Sequence, residues 1–187
     1  NLIDKAREIN MPAENITRAI KRGTGELPGV NYESFTYEGY GPHGVAILVE
    51  TLSDNKNRTV ADMRHMFSKS GGSLGESGSV AWMFDHMGVV RGTGALTEDT
   101  LLEALIDYDV TDIKRDNRFF SIFCQPAQLH EVKETAQNAG LSVDSAELEW
   151  VAKNPINISD EQSEKVISLL STLHDHDDVQ NVYSTLG

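Results

Sequence analysis

The spacing of apolar residues changes period along the chain, and each change marks an element. Leu2, Ile3, Ala6 and Ile9 recur at helical spacing, so the chain opens inside a helix with no cap before it, as if a larger helical domain had been cut. Pro12 suits the first turn of a further helix, in which Ile16, Ala19 and Ile20 share a face and Arg18, Lys21 and Arg22 lie off it. The run 23–29, GTGELPG, cannot continue a helix and reads as a linker. From Tyr32 the period becomes two. Strands are predicted over 32–37 and 45–52, with the glycine-rich 39–44 as the turn between them. Asn57-Arg58-Thr59 opens a helix, with Thr59 and Asp62 spaced like a capping box, Val60, Met63 and Phe67 on its apolar face, and Gly71 at its end. A strand is predicted over 79–84.

Residues 88–151 contain a complete small unit. A strand over 88–93 is followed by a helix capped by Thr97, with Leu101, Leu102 and Leu105 as its core face. A hairpin of 110–115 and 119–124 turns at Asp116-Asn117. A helix from Pro126 ends at Gly140, and a last strand covers 143–151. The order β-α-β-β-α-β is ferredoxin-like. The tail adds a helix opened by the capping box Ser159/Gln162, striped by Val166, Leu169, Leu170 and Leu173, and then a strand over 179–183. A lone helix and strand bury little, while 31–86 lacks a closing helix and strand. The tail is therefore expected to return and complete that sheet, which makes the middle unit an insertion. The fold class that follows is α+β: an N-terminal helical remnant and linker (1–30), then two ferredoxin-like α/β domains, the second (87–152) inserted into the first (31–86 plus 153–187).

Composition restricts the function. The chain has 187 residues, and no apolar run approaches the ~20 needed to cross a bilayer, so no membrane partner is expected. A single cysteine, Cys124, excludes a disulfide framework and points to a reducing, cytoplasmic setting; it reads as a buried small hydrophobe. The net charge of -13 opposes simple capture of nucleic acid, but it is unevenly placed. Residues 1–30 carry +1, 31–86 carry -3, 87–152 carry -7 and 153–187 carry -4. A polyanion would approach the N-terminal part.

Several motifs invite a chemical reading and lack its context. Gly39, Gly41 and Gly44 spell G-x-G-x-x-G, yet they precede a strand rather than open a helix, so no dinucleotide cofactor is expected. Ser53-Asp54-Asn55 and the overlapping S-x-x-K lack the separate partner motifs of a β-lactamase. The run 71–78, GGSLGESG, allows close approach of a backbone to phosphate, but it reads better as a helix cap and return. His174-Asp175-His176-Asp177-Asp178 is too local for a metal site and reads as a solvated acidic helix end. No catalytic constellation stands out, so no enzyme and no cofactor are expected.

One constellation remains. Lys56, Arg58, Arg64 and Lys69 are every positive charge between 31 and 86, all in one loop and helix, with neutral donors at Asn55, Asn57 and Thr59. The group reads either as a solvated helix face, with Arg58 and Asp62 paired at i, i+4, or as a phosphate-contacting surface extended by Arg18, Lys21 and Arg22.

The stretch from Tyr37 to Phe84 resembles the YebC/PmpR family. The likeness rests on Tyr37-Glu38-Gly39-Tyr40-Gly41-Pro42-His43-Gly44, on Leu52-Ser53-Asp54-Asn55-Lys56-Asn57-Arg58-Thr59, on Arg64, Phe67 and Gly71-Gly72-Ser73-Leu74-Gly75, and on Gly78-Ser79-Val80. Residues 10–23, Asp144-Ser145-Ala146-Glu147 and Asp177-Asp178-Val179-Gln180-Asn181-Val182-Tyr183 are similar too. His43 departs from the pattern, where the family often has glycine. The resemblance implies a helical domain followed by two α/β domains, the last inserted in the middle one, and a lysine- and arginine-rich start of the helical domain that is missing here. It implies a DNA-binding transcriptional regulator or, as in a mitochondrial relative, a ribosome-associated translational activator contacting ribosomal RNA. An acidic module that docks basic proteins is the reading from another class.

Overall fold

The computed structural model describes residues 31–187. The helical remnant, with Arg18, Lys21 and Arg22, lies outside the described residues. Twelve elements follow in order: β1 (Glu33–Tyr40), β2 (Ala46–Ser53), α1 (Lys56–Lys69), β3 (Ser73–Leu74), β4 (Phe84–Thr93), α2 (Glu98–Ala104), β5 (Val110–Asp116), β6 (Phe119–Cys124), α3 (Leu129–Asn138), β7 (Ser142–Ala152), α4 (Asp160–Asp175) and β8 (Val179–Ser184). The fold is α+β, with two compact α/β units: residues 31–85 with Val151–Gly187, and His86–Trp150.

In the first unit β1 and β2 form an antiparallel hairpin, in register from Glu33↔Ser53 to Tyr40↔Ala46. A 3-10 turn, Pro42–Gly44, joins them, and His43 there takes left-handed angles, φ 62 and ψ 25. That backbone suits glycine better than a residue carrying Cβ. The sheet order is β3-β1-β2-β8. β2 is buried almost throughout and needs neighbours on both edges; the tail strand β8 supplies the second one, antiparallel to it. α1 and α4 cover one face, closing a core of Val45, Ile47 and Val49 against Met63, Phe67, Val166, Leu169 and Leu173.

The His86–Trp150 unit has sheet order β5-β6-β4-β7, the ferredoxin-like order. Alternate residues Phe120, Ile122 and Cys124 of β6 face Leu101, Leu105, Val132 and Ala136 of the helices. Thr97 caps α2 by accepting from Thr100 N, and α4 carries the complete Ser159/Gln162 capping box.

Four local expectations are corrected. Residues 79–83 are not a strand: they form a bend and a 3-10 turn, Ala81–Met83, and pairing begins at Phe84. Their amides are occupied elsewhere, since the Glu38 carboxylate accepts from Gly78 N, Val80 N and Ala81 N. α1 is capped by Asn55, whose side chain accepts from Arg58 N, and Thr59 is buried inside the helix rather than capping it. Leu102 is exposed, because α2 turns only Leu101 and Leu105 into the core. Finally, the glycine run contains the edge strand β3, paired with Gly39 and Tyr40. Gly72 allows this approach, since a Cβ there would run into Tyr40 O and Gly41 Cα.

Candidate nucleic-acid interface

The start of α1 is built on a buried polar network. Ser53 ends β2, and its hydroxyl oxygen accepts from Asn55 N at 3.0 Å. The Ser53 and Thr59 hydroxyls meet at 2.6 Å, and Thr59 Oγ1 reaches Asp178 Oδ2 at 2.9 Å. One proton per hydroxyl gives a consistent chain in which Ser53 donates to Thr59 and Thr59 donates to Asp178. Asp178 is only 1% exposed and also accepts from Arg58 Nη2 at 3.1 Å. Leu52 N donates to Asp178 O at 2.8 Å. The end of β2, the start of α1 and the distant Asp178 are thus tied into one base beneath the Asn55–Arg58 ridge.

Arg58 does not pair with Asp62. Its guanidinium lies between Asp54, at 3.0 Å, and Asp178. The hydrogen bond to Asp178 leads the causes that raise its pKa above the ordinary arginine value, so it stays charged. Asp62 instead bonds His176 Nε2 at 2.9 Å, while His176 Nδ1 accepts from Asp178 N, which assigns the ring proton to Nε2. The acidic end of α4 is therefore partly buried structure and not a solvated terminus. Burial, followed by the charge of Asp178, raises the pKa of Tyr37 in the same region.

The remaining cations are exposed, but they do not form one row. At about 100° per residue, Arg64 lies about 120° around α1 from Arg58 and about 140° from Lys69. Asn57 shares the flank of Arg64, and Asp62 occupies the other flank, towards α4. Lys56 sits at the helix start with its ammonium 4.7 Å from the centre of the Phe35 ring. The ridge thus presents Lys56, Asn57 and Arg64 on one side and a partly neutralised Arg58 with Lys69 on the other. The Asn55 side-chain oxygen is used by the cap, which leaves its amide NH2 as a donor. The first-turn amides add partial positive charge at the same end.

Sequence reasoning missed the roles of Ser53, Asp178 and Glu38, and it read Thr59 as a cap and neutral donor rather than as a buried link. No local pattern flags them, because Thr59 and Asp178 are 119 positions apart. The hint available was indirect: the quoted stretches around Ser53–Thr59 and Asp177–Tyr183 meet through Asp178, and those around Glu38 and Gly78–Val80 meet through the Glu38 carboxylate. The G-x-G-x-x-G residues belong to strand β1 and the hairpin turn, and strand β2, not an α-helix, follows them directly. Among the described residues, no three His, Cys, Asp or Glu side chains are grouped to hold a metal ion, and no helix is long and apolar enough to cross a membrane. Cys124 is fully buried, and burial raises its thiol pKa.

A family model described as "TACO1/YebC second and third domain" matches residues 32–186. A "Probable transcriptional regulatory protein" of Desulfatibacillum aliphaticivorans is 48% identical over 184 residues, spanning 98% of this chain and 74% of the relative. A protein of the same name from Nitratiruptor is 48% identical over 184 residues, with 98% of this chain and 78% of the relative covered. The crystal structure of a conserved hypothetical protein from Aquifex aeolicus is similar with a TM-score of 0.78 and 40% identity, covering 99% of this chain and 77% of that one.

Proposed function

We propose, from the premise that this chain belongs to the TACO1/YebC family, that it is a regulator of gene expression acting on nucleic acid through the α1 ridge. The carrying observation is the Ser53–Thr59–Asp178 network, which spends a buried carboxylate on holding the N-terminal end of α1, with Lys56 and Arg58, in place, while Arg64 and Lys69 follow along the same helix. Lys56, Arg64 and Lys69 contact phosphate directly, Asn55 and Asn57 donate neutral hydrogen bonds, and Arg58 is chiefly a positioning residue because Asp54 and Asp178 already engage it. Arg18, Lys21 and Arg22, outside the described residues, are proposed from the sequence alone as further phosphate contacts. The names of the relatives favour transcriptional regulation, and on this reading the protein acts on DNA in the cytoplasm and catalyses no reaction.

A second reading, a translation factor on structured ribosomal RNA, is favoured by the division of the cations between two flanks of α1. Among the described residues, no single helix face carries a row of base-reading side chains, so the ridge suits backbone and shape recognition. The test combines Lys56→Glu, Arg64→Glu and Lys69→Glu. Arg58 is left intact, because a glutamate there would face buried Asp178. In a titration against duplex DNA and structured RNA at several salt concentrations, the logarithmic salt slope should fall by about 2 to 3 for three lost phosphate contacts. Unchanged affinity and slope in a folded variant would refute the surface. Binding of promoter duplex against co-sedimentation with ribosomes separates the two readings.

A further inference from the structure

The charge and exposure of the His86–Trp150 unit point to a second surface, independent of the α1 ridge. Between Arg91 and Lys114 the chain carries six acidic residues and no basic one. In the middle of that stretch Leu102 is 52% and Ile106 78% exposed. They are four residues apart, Leu102 in α2 and Ile106 in the turn that follows its C-cap Leu105. Glu98 and Asp99 precede Leu102 by four and three positions and lie on the same side; Glu103 and Asp107 flank it, and all four acids are exposed. The packing of the unit does not require this arrangement, because Leu101 and Leu105 already fill the core position beneath α2.

We infer that the Leu102/Ile106 face of α2 docks a basic, amphipathic polypeptide segment. Two adjacent branched side chains supply an apolar seat, as in helix-in-groove recognition. The acidic rim selects lysine- and arginine-flanked partners and repels nucleic acid and acidic chains. Rim charges of this kind act mainly on association rate and salt dependence, and the apolar pair supplies most of the affinity. The surface gives the protein a protein-binding side that polyanions avoid.

The test uses the full chain and a synthetic 18-residue leucine/lysine amphipathic helix as probe, with a leucine/glutamate counterpart as control. The lysine peptide should bind, weaken with added salt, and shift backbone amide resonances over 98–107. Leu102→Gln with Ile106→Gln should weaken it roughly tenfold or more. The same variant should keep its unfolding midpoint and its nucleic-acid affinity, since both side chains are exposed. Equal binding by the double variant, resonance shifts elsewhere, or equal binding of the glutamate peptide would overturn the inference. So would a dimer in sedimentation that the double variant abolishes while no peptide binds, because the face would then meet a second copy of the chain.

Discussion

Replacing Glu38 is the sharpest test of how the first unit is held together. Its carboxylate is 5% exposed and accepts from Gly78 N at 2.6 Å, Ala81 N at 2.7 Å and Val80 N at 3.0 Å. Hydrogen bonds to a charged group contribute about 1.5–3 kcal/mol each, and they are not additive when they share an acceptor. Glu38→Ala removes all three acceptors and leaves amides in a site with little access for water, so it should destabilise the unit by about 3–5 kcal/mol. That is a large part of the roughly 5–15 kcal/mol that holds an ordinary domain. Glu38→Gln keeps the volume and one acceptor oxygen, but its NH2 faces a backbone N–H, and it should cost about 2–3 kcal/mol. Urea unfolding followed by tryptophan emission reads both effects. Trp82 lies in the turn itself, its indole N–H donating to Ser79 O, and Trp150→Phe removes the only other tryptophan. Glu38→Gln within 1 kcal/mol of the parent, with unchanged Trp82 emission, would refute the claim that this carboxylate shapes 78–83.

Four more predictions follow from the polar network and the strained or buried groups. Asp178→Ala should cost about 2–4 kcal/mol because it leaves Thr59 and Arg58 without their buried acceptor, whereas Asp54→Ala, at the exposed end of the same arginine, should cost under about 1 kcal/mol; equal losses in thermal melts would contradict the ranking. Thr59→Val keeps the shape and removes the hydroxyl link, for a loss of about 1–3 kcal/mol, and a silent substitution would remove the network from the account. His43→Gly should stabilise by about 0.5–1 kcal/mol, since left-handed angles cost a Cβ-bearing residue more than glycine loses in chain entropy; a lowered urea midpoint would count against this. Burial raises the pKa of Cys124, and burial with Asp178 raises that of Tyr37, so both groups deprotonate more readily once unfolded. Their contribution is complete below the unfolded pKa values and is lost as pH rises through the folded ones, so stability should decline above about pH 8.5 to 9, first through Cys124. A midpoint that stays flat from pH 8 to about 11 would show that neither group is linked to folding, and a decline unchanged in Cys124→Ala would remove Cys124 alone from the account.

What the sequence determined by itself is the part governed by short-range periodicity. Strand alternation in 119–124, helical spacing in 166–173, the Thr97 cap and the Ser159/Gln162 box could all be read locally, because each partner lies within four residues or on the same face. The α+β class followed from the order of those periods. Tertiary structure decided the roles that depend on a distant partner. Residues 79–84 alternate well enough for a strand, but a carboxylate 40 residues away takes the amide of Gly78, and the amides that follow go the same way. Arg58 has an acidic residue four positions away on either side; a buried Asp178, just before the neighbouring strand β8, made the choice for Asp54 over Asp62. Thr59 looked like a cap because its spacing fitted one, and burial against Asp178 turned it into a core hydrogen-bond donor. A buried polar atom must find a partner wherever the fold places one, and that search extends over distances along the chain that no local pattern reports.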